Sequence, residues 1–228
     1  MLTILMLSMI SGFPSNARNT RALYDKGLIS LEEANHILIF SHFGNPVFIL
    51  TTVAIFFFHN QKMGVILLIT HYLSNFILGI CFRGKLKSNP ASNDNHFTYN
   101  NFGIVFISAI KKAIDTILII CGIVVVFLML SSIIINTFNF NSYNAMLIKG
   151  FFEITIGIEA LSKLPINMIY KTVTASMILA FGGISVHVQV LSQITETKIK
   201  YIYFFVGRMY QMIIAGLLTY VICLIVKI

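Results

Sequence analysis

Charged side chains are scarce in this sequence of 228 residues: only 11% are Asp, Glu, Lys or Arg, and 57% are hydrophobic. Soluble domains carry about 25% charged residues, so the composition argues against a soluble domain. The sequence also lacks the HExxH, GxSxG and P-loop patterns of common enzyme sites. The three cysteines, Cys81, Cys121 and Cys223, show no paired spacing, which argues against a disulfide framework or a zinc site. We therefore predict no enzyme, no cofactor and no metal site.

Long apolar runs are what the sequence has instead. A helix needs about 20 mainly apolar residues to cross a hydrocarbon core about 30 Å thick. Four segments meet or nearly meet this length: 64–82, 116–135, 172–194 and 209–226. Two further segments are weaker candidates, because 46–58 is shorter and 150–164 contains charged residues. The predicted fold is an all-α polytopic membrane protein with about six hydrophobic segments. Its two halves, residues 1–101 and 102–228, are expected to form one membrane domain.

The net charge of +8 lies in the connections between the apolar runs. Six of the seven basic residues of the first half fall into two groups, separated by two spans: Arg18, Arg21 and Lys26, then Arg83, Lys85 and Lys87. The positive-inside rule places both groups in the cytoplasm and the loops at 59–62 and 136–144 outside. This pattern favours a multi-pass protein of the inner membrane, with lipid rather than nucleic acid as its partner.

Several motifs predict helix boundaries or breaks. The SLEE motif at 30–33 has the spacing of a capping box and predicts a helix start. That helix should end at FGNP (43–46), because proline lacks an amide donor and restrains the residue before it. Further breaks are predicted at SGFPSN (11–16), at KGFFEITIG (149–157) and at FGGISVHVQ (181–189). Discontinuous helices in both halves are typical of inverted-repeat transporters.

Polar residues within the apolar runs are the candidate functional residues. An unpaired polar group in hydrocarbon costs several kcal/mol, so these side chains need partners. His187 and Gln189 follow a glycine pair in a stretch without formal charge, and they either hydrogen-bond neighbouring helices or line a ligand site. Glu153 is an intramembrane carboxylate that either serves a function or is neutralised by Lys149 one turn earlier.

Three stretches, in this order, resemble the YlbJ-type sporulation integral membrane proteins, which contain a nucleoside-recognition (Gate) domain: SGFPSNARNTRALYDKGLISLEEANHILIFSHFGNPVFIL, KGFFEITIG and SMILAFGGISVHVQVLSQI. The resemblance implies a core similar to that of concentrative nucleoside transporters. It also implies an association with spore formation, particularly with the cortex, and the recognition or transport of a nucleoside-like solute. A non-transporting membrane scaffold for spore envelope or cortex assembly is the alternative.

The resemblance also implies which residues surround a central cavity. The substrate-binding candidates carried over from its motifs are Pro14, Ser15, Asn45, Glu153, Thr155, Gly183, Ser185, His187 and Gln189. Relatives have further membrane helices before the SGFPS-like motif, so we expect this chain to be short at its N-terminus. The expected partners are therefore a nucleoside-like small molecule, a cation, and either further copies of the chain or a missing N-terminal partner.

Overall fold

The computed structural model describes residues 2–82 and 102–227, and its regular elements within those ranges are all helical. In chain order they are α1 (Leu2–Ser11), α2 (Ser15–Asp25), α3 (Leu31–Phe40), a π-helix (Phe48–Phe57), α4 (Gln61–Cys81), α5 (Phe102–Phe138), α6 (Ser142–Phe152), α7 (Ile154–Ser162), α8 (Met168–Phe181), α9 (Gly183–Ile194) and α10 (Tyr201–Val226). The basic group at 83–87 lies outside the described residues.

Four helical segments are long and apolar enough to cross a membrane: Gln61–Cys81, Phe102–Phe138, Met168–Ile194 and Tyr201–Val226. They coincide with the four long segments predicted from the sequence, and the third combines α8 and α9. The apolar π-helix coincides with the shorter segment at 46–58. The predicted all-α, multi-pass membrane protein is therefore confirmed. The number of crossings and the likeness to nucleoside transporters stay predictions.

The predicted boundaries around α3 are present. The hydroxyl of Ser30 accepts a hydrogen bond from the amide of Glu33 at 3.1 Å, and the Glu33 carboxylate accepts one from the amide of Ser30 at 2.8 Å. This reciprocal pair is the capping box expected from SLEE, and it satisfies two amides that a helix start otherwise leaves free. At its other end α3 stops at Phe40, shortly before Pro46.

Two helix pairs form hairpins, α1 with α2 and α6 with α7. In the second hairpin the helices touch at their glycines: a Cβ atom on Gly157 would lie 2.2 Å from the Cα of Gly150. Glu153 forms the tip, with extended backbone angles (φ −149°, ψ 132°) between the last residue of α6 and the first of α7. Glycine at both positions therefore permits the close approach on which this tight hairpin depends.

The two hairpins reach the α8–α9 span from opposite ends. Near the end of α2, Arg21 donates hydrogen bonds to the carbonyl of Gln193 at 3.0 Å and to the carboxylate of Glu196 at 2.7 Å. The bond to Glu196 raises the pKa of Arg21. Near the start of α8, the Lys171 ammonium donates to the carbonyl of Ser162 at 2.7 Å, at the end of α7. The base of each hairpin thus lies at a different end of the span.

Helix α10 packs against α8, α4 and α3. A hydroxyl cluster joins three of these helices: the Thr219 hydroxyl bonds Thr70 at 3.0 Å and Ser176 at 2.8 Å. Helix α5 is much more exposed than the other spans: only 6% of its most apolar 18-residue stretch is buried inside the protein. An apolar helix with so much exposed surface is suited to contact lipid.

Candidate functional site

The two breaks of the first half lie against each other. A Cβ atom on Gly12 would lie 2.9 Å from the Cβ and 3.0 Å from the amide nitrogen of Asn45. Gly12 also has a φ of +72°, which favours glycine for a second reason. The side-chain oxygen of Asn45 accepts a hydrogen bond from the amide of Val47 at 2.8 Å and so caps the chain that leads into the π-helix. Asn45 therefore has a structural partner at the break.

The two breaks of the second half also meet, at Gly183 and Glu153. A Cβ atom on Gly183 would lie 3.2 Å from both the Cα and the amide nitrogen of Glu153. Gly183 has a φ of +66° and follows Gly182 at +92°, so this glycine pair produces the turn that ends α8 and begins α9. Two breaks that are 30 residues apart in sequence are thus in contact.

The buried carboxylate of Glu153 caps the first turn of α7. It accepts hydrogen bonds from the amide of Ile156 at 3.0 Å and from the hydroxyl of Thr155 at 3.2 Å. Only 5% of Glu153 is exposed. Among the ion pairs of the described residues none joins Glu153 to Lys149, so the neutralising pair considered from the sequence does not form. A negative charge at a helix N-terminus is stabilised by the helix dipole instead.

The imidazole of His187 is hydrogen-bonded at both nitrogens. Its Nε2 lies 3.0 Å from the carbonyl of Phe181, and its Nδ1 lies 2.7 Å from the hydroxyl of Tyr201 on α10. Because a carbonyl can only accept, Nε2 carries the hydrogen and Nδ1 accepts from the hydroxyl. This is the interhelical role that one of the two sequence alternatives gave to His187.

An aromatic ring connects the breaks of the two halves. Phe204 on α10 lies edge-on to His42, with ring centroids 4.4 Å apart, and edge-on to His187, with centroids 4.9 Å apart. His42 directly precedes the FGNP motif, in the break that follows α3, and His187 lies in the first turns of α9. The two breaks are therefore neighbours of one buried side chain, although their polar atoms do not bond each other directly.

Arg208 lies one turn after Phe204 on α10 and is fully buried. Sequence reasoning did not include it among the candidate site residues. Its guanidinium donates to the carbonyls of Ile39 at 3.2 Å and His42 at 3.1 Å, and to the side chains of Asn75 and Gln211. The two carbonyls come from the last turn of α3 and the break behind it, where a helix leaves acceptors unpaired and carries partial negative charge. Arg208 therefore caps the broken end of α3.

Helices α4 and α10 complete this polar network. The amide of Gly44 donates to Nε2 of His71 at 2.8 Å, and the side-chain amide of Asn75 donates to the carbonyl of His42 at 2.8 Å. Gln211 donates to the carbonyl of His71 at 3.1 Å. His71 and Asn75 thus hydrogen-bond neighbouring elements, as is expected of polar residues within spans.

Several buried polar atoms near the breaks have no hydrogen-bond partner within the described residues: Asn16 Oδ1, Thr20 Oγ1, His42 Nε2, His71 Nδ1, Ser185 Oγ and Arg208 Nε. Nε2 of His71 accepts the Gly44 amide, so Nδ1 of its neutral ring is the free N–H donor. Nδ1 of His42 lies 3.2 Å from the Asn16 amide group, which leaves Nε2 as the donor on that ring. Buried polar atoms are normally paired with protein groups or with ordered water.

The remaining predicted residues lie close to these features. Pro14 directly precedes α2 and Ser15 is its first residue; α2 packs against α9, where Ser185 and Gln189 are buried. The structure therefore brings Glu153, Thr155 and Gly183 together and sets Asn45 against Gly12. Asn16 lies in the break predicted at 11–16, whereas sequence reasoning missed His42, Arg208 and Gln211. Arg208 could have been found from the sequence, because a charged residue inside an apolar run is rare in membrane spans.

These features define a multi-pass α-helical membrane protein whose helices break in two contacting pairs, with a buried polar network beside the break that follows α3. The chain is similar to the sporulation integral membrane protein YlbJ of Bacillus subtilis (strain 168), with 26% identity over 93% of this chain. It spans 61% of the length of that relative. The predicted resemblance to YlbJ-type proteins is confirmed. The nucleoside-recognition domain and the association with spore formation stay predictions. No family model and no solved structure matches the chain.

Proposed function

We propose that this chain, in the inner membrane of a sporulating cell, recognises or transports a nucleoside-like solute at its helix breaks. The observation that carries the proposal is the contact between Gly183 and Glu153, which brings together the tip of a hairpin and the break of a span. Transporters place their sites where discontinuous helices expose backbone and polar side chains near the middle of the membrane. The similarity to a sporulation protein supports the cellular context.

The chemistry of the buried groups suits such a solute. The carboxylate of Glu153 accepts two hydrogen bonds, whereas a carboxylate has about four acceptor positions, so acceptor capacity remains for sugar hydroxyls. The free N–H groups of His42 and His71 are donors suited to the carbonyl and ring nitrogen atoms of a base. A nucleoside has hydroxyl donors on its sugar, which match the Glu153 carboxylate, and acceptors on its base, which match the two histidines.

Binding of a nucleoside panel to the purified protein tests the proposal. Glu153→Gln is the informative variant, because the amide oxygen can still cap α7 while the negative charge is lost. A hydrogen bond to a charged group contributes about 1.5–3 kcal/mol, so we expect affinity to fall roughly 10- to 100-fold. Glu159→Gln is the matched control, since Glu159 pairs with Lys163 at 2.5 Å on a more exposed part of α7. Failure of the wild-type protein to bind any nucleoside would contradict the proposal.

Uptake into proteoliposomes separates transport from recognition. Vesicles containing the wild-type protein should accumulate the bound nucleoside, and a sodium or proton gradient should increase uptake if a cation is coupled. A protein that binds without uptake recognises the solute only. A Glu153→Gln variant that sporulates normally although its binding is lost would instead favour the scaffold role in envelope or cortex assembly.

A further inference from the structure

A groove with a cavity of about 560 Å³ lies between α5, α6 and α7, and neither Glu153 nor Gly183 lines it. It borders the open end of the second hairpin, close to where α5 ends at Phe138 and α6 begins at Ser142. Its walls combine apolar and charged side chains, among them Leu128, Phe140, Met146, Lys149, Glu159 and Lys163. The groove is therefore amphipathic and lies near the end of a membrane-spanning helix.

The charges in this groove do not balance. The ammonium of Lys163 pairs with the Glu159 carboxylate at 2.5 Å, which compensates one positive charge. Lys149 is half-buried and forms no ion pair or side-chain hydrogen bond with any residue in 2–82 or 102–227. A partly buried cation without a counter-ion is unfavourable, so an anion in the groove would be stabilised beside Lys149.

The surroundings of Lys149 indicate what kind of anion fits. Leu128 and Met146 form apolar parts of the groove wall, and α5 presents an exposed apolar surface along its length. A free inorganic anion would make no use of that surface. An anion carrying a long apolar chain would bury the chain against α5 and place its charged group at the level where the span ends.

We propose that this groove binds one anionic phospholipid, with its phosphate at Lys149 and an acyl chain along α5 beside Leu128. Basic pockets between transmembrane helices are known as sites for anionic head groups, since the charge and the apolar chain are satisfied together. This lipid site is independent of the solute at the helix breaks, because its lining residues include neither Glu153 nor Gly183.

Lipid binding to the full chain in dodecyl maltoside tests this, with dioleoyl phosphatidylglycerol and dioleoyl phosphatidylcholine as probes and native mass spectrometry as the readout. Wild-type protein should retain phosphatidylglycerol in preference to phosphatidylcholine. Lys149→Gln should lower the affinity for phosphatidylglycerol about fivefold, the effect expected of one basic residue near anionic lipid. Lys198→Gln, a change of the same charge at an exposed position between α9 and α10, should leave it unchanged.

A second variant addresses the cavity without altering charge. Ala145 also lines the groove, and Ala145→Phe would narrow it, so phosphatidylglycerol binding should weaken while Lys149 is intact. Three results would overturn the proposal: equal affinity of wild type and Lys149→Gln, equal retention of both lipids by wild type, or displacement of the lipid by millimolar inorganic phosphate. If Lys149→Gln fails to fold, the lipid preference of wild type and the Ala145→Phe variant still decide the matter.

Discussion

Gly183 lies against the backbone of Glu153, so closely that a Cβ atom would come within 3.2 Å of the Glu153 Cα. Gly183→Ala should therefore push the hairpin tip away from the α8–α9 break. A left-handed backbone costs a non-glycine residue about 1–2 kcal/mol, and overpacking adds about 1–3 kcal/mol. We expect a clear fall in the apparent Tm of the purified protein, together with weaker binding of any solute held at the breaks.

Gly122→Ala is the control for that experiment. Gly122 lies on α5, where an added methyl group would meet nothing within 4 Å, and alanine is the better helix former by about 1 kcal/mol. Its Tm should be unchanged or slightly higher. Equal Tm values for wild type and Gly183→Ala would mean that the two breaks separate easily and do not depend on this contact.

Gly207 and Gly216 offer a second comparison, both on α10. A Cβ atom on Gly207 would lie 2.1 Å from the carbonyl oxygen of Ile39, which is backbone and cannot move alone, so Gly207→Ala should separate α10 from α3. On Gly216 the nearest atom would be Cγ of Met177 at 2.9 Å, part of a flexible side chain. We expect a loss of roughly 2–4 kcal/mol at Gly207 and less than about 1 kcal/mol at Gly216. Thermal unfolding in detergent measures both, and a larger loss at Gly216 would contradict the packing described.

The sequence predicts the breaks much better than it predicts their neighbours. Glycine, proline and polar residues within apolar runs identify the motifs at 11–16, 43–46, 149–157 and 181–189, because each has a local backbone cause. Which break touches which depends on how the hairpins approach the α8–α9 span, and no local pattern encodes that approach.

The role of Arg208 shows the same limit at a single residue. Its presence in an apolar run is visible in the sequence, yet its partners include the carbonyl of His42, 166 residues away. Every residue has a carbonyl, so the sequence carries no signal for that pairing. The π-helical form of Phe48–Phe57 could not be predicted either, because an apolar run does not determine which backbone groups hydrogen-bond each other.

Arg208→Lys should destabilise the protein although it keeps the charge. The guanidinium reaches acceptors on Ile39, His42, Asn75 and Gln211 at once, and a lysine ammonium donates from one point and cannot span them. Each buried acceptor left unpaired costs about 1–3 kcal/mol, so we expect a loss of about 3 kcal/mol in the free energy of unfolding. Arg18→Lys, which changes one half-buried bond to Thr116 at 3.3 Å, should cost far less. Similar unfolding curves for the two variants would refute the capping role.

Tyr201→Phe tests whether the hydroxyl of Tyr201 holds the His187 ring. Removing the hydroxyl leaves Nδ1 of His187 without its donor at 2.7 Å, whereas the bond from Nε2 to Phe181 remains. A buried acceptor that loses its partner costs about 1–3 kcal/mol, and the apparent Tm should fall accordingly. Tyr203→Phe is the matched control, because Tyr203 lies two residues along the same helix and is 38% exposed. If both variants unfold alike, the bond contributes nothing to stability. The loss of solute binding is then compared with the loss of stability. If Tyr201→Phe weakens binding more than Gly207→Ala for the same loss of stability, the orientation of the His187 ring contributes to solute binding directly.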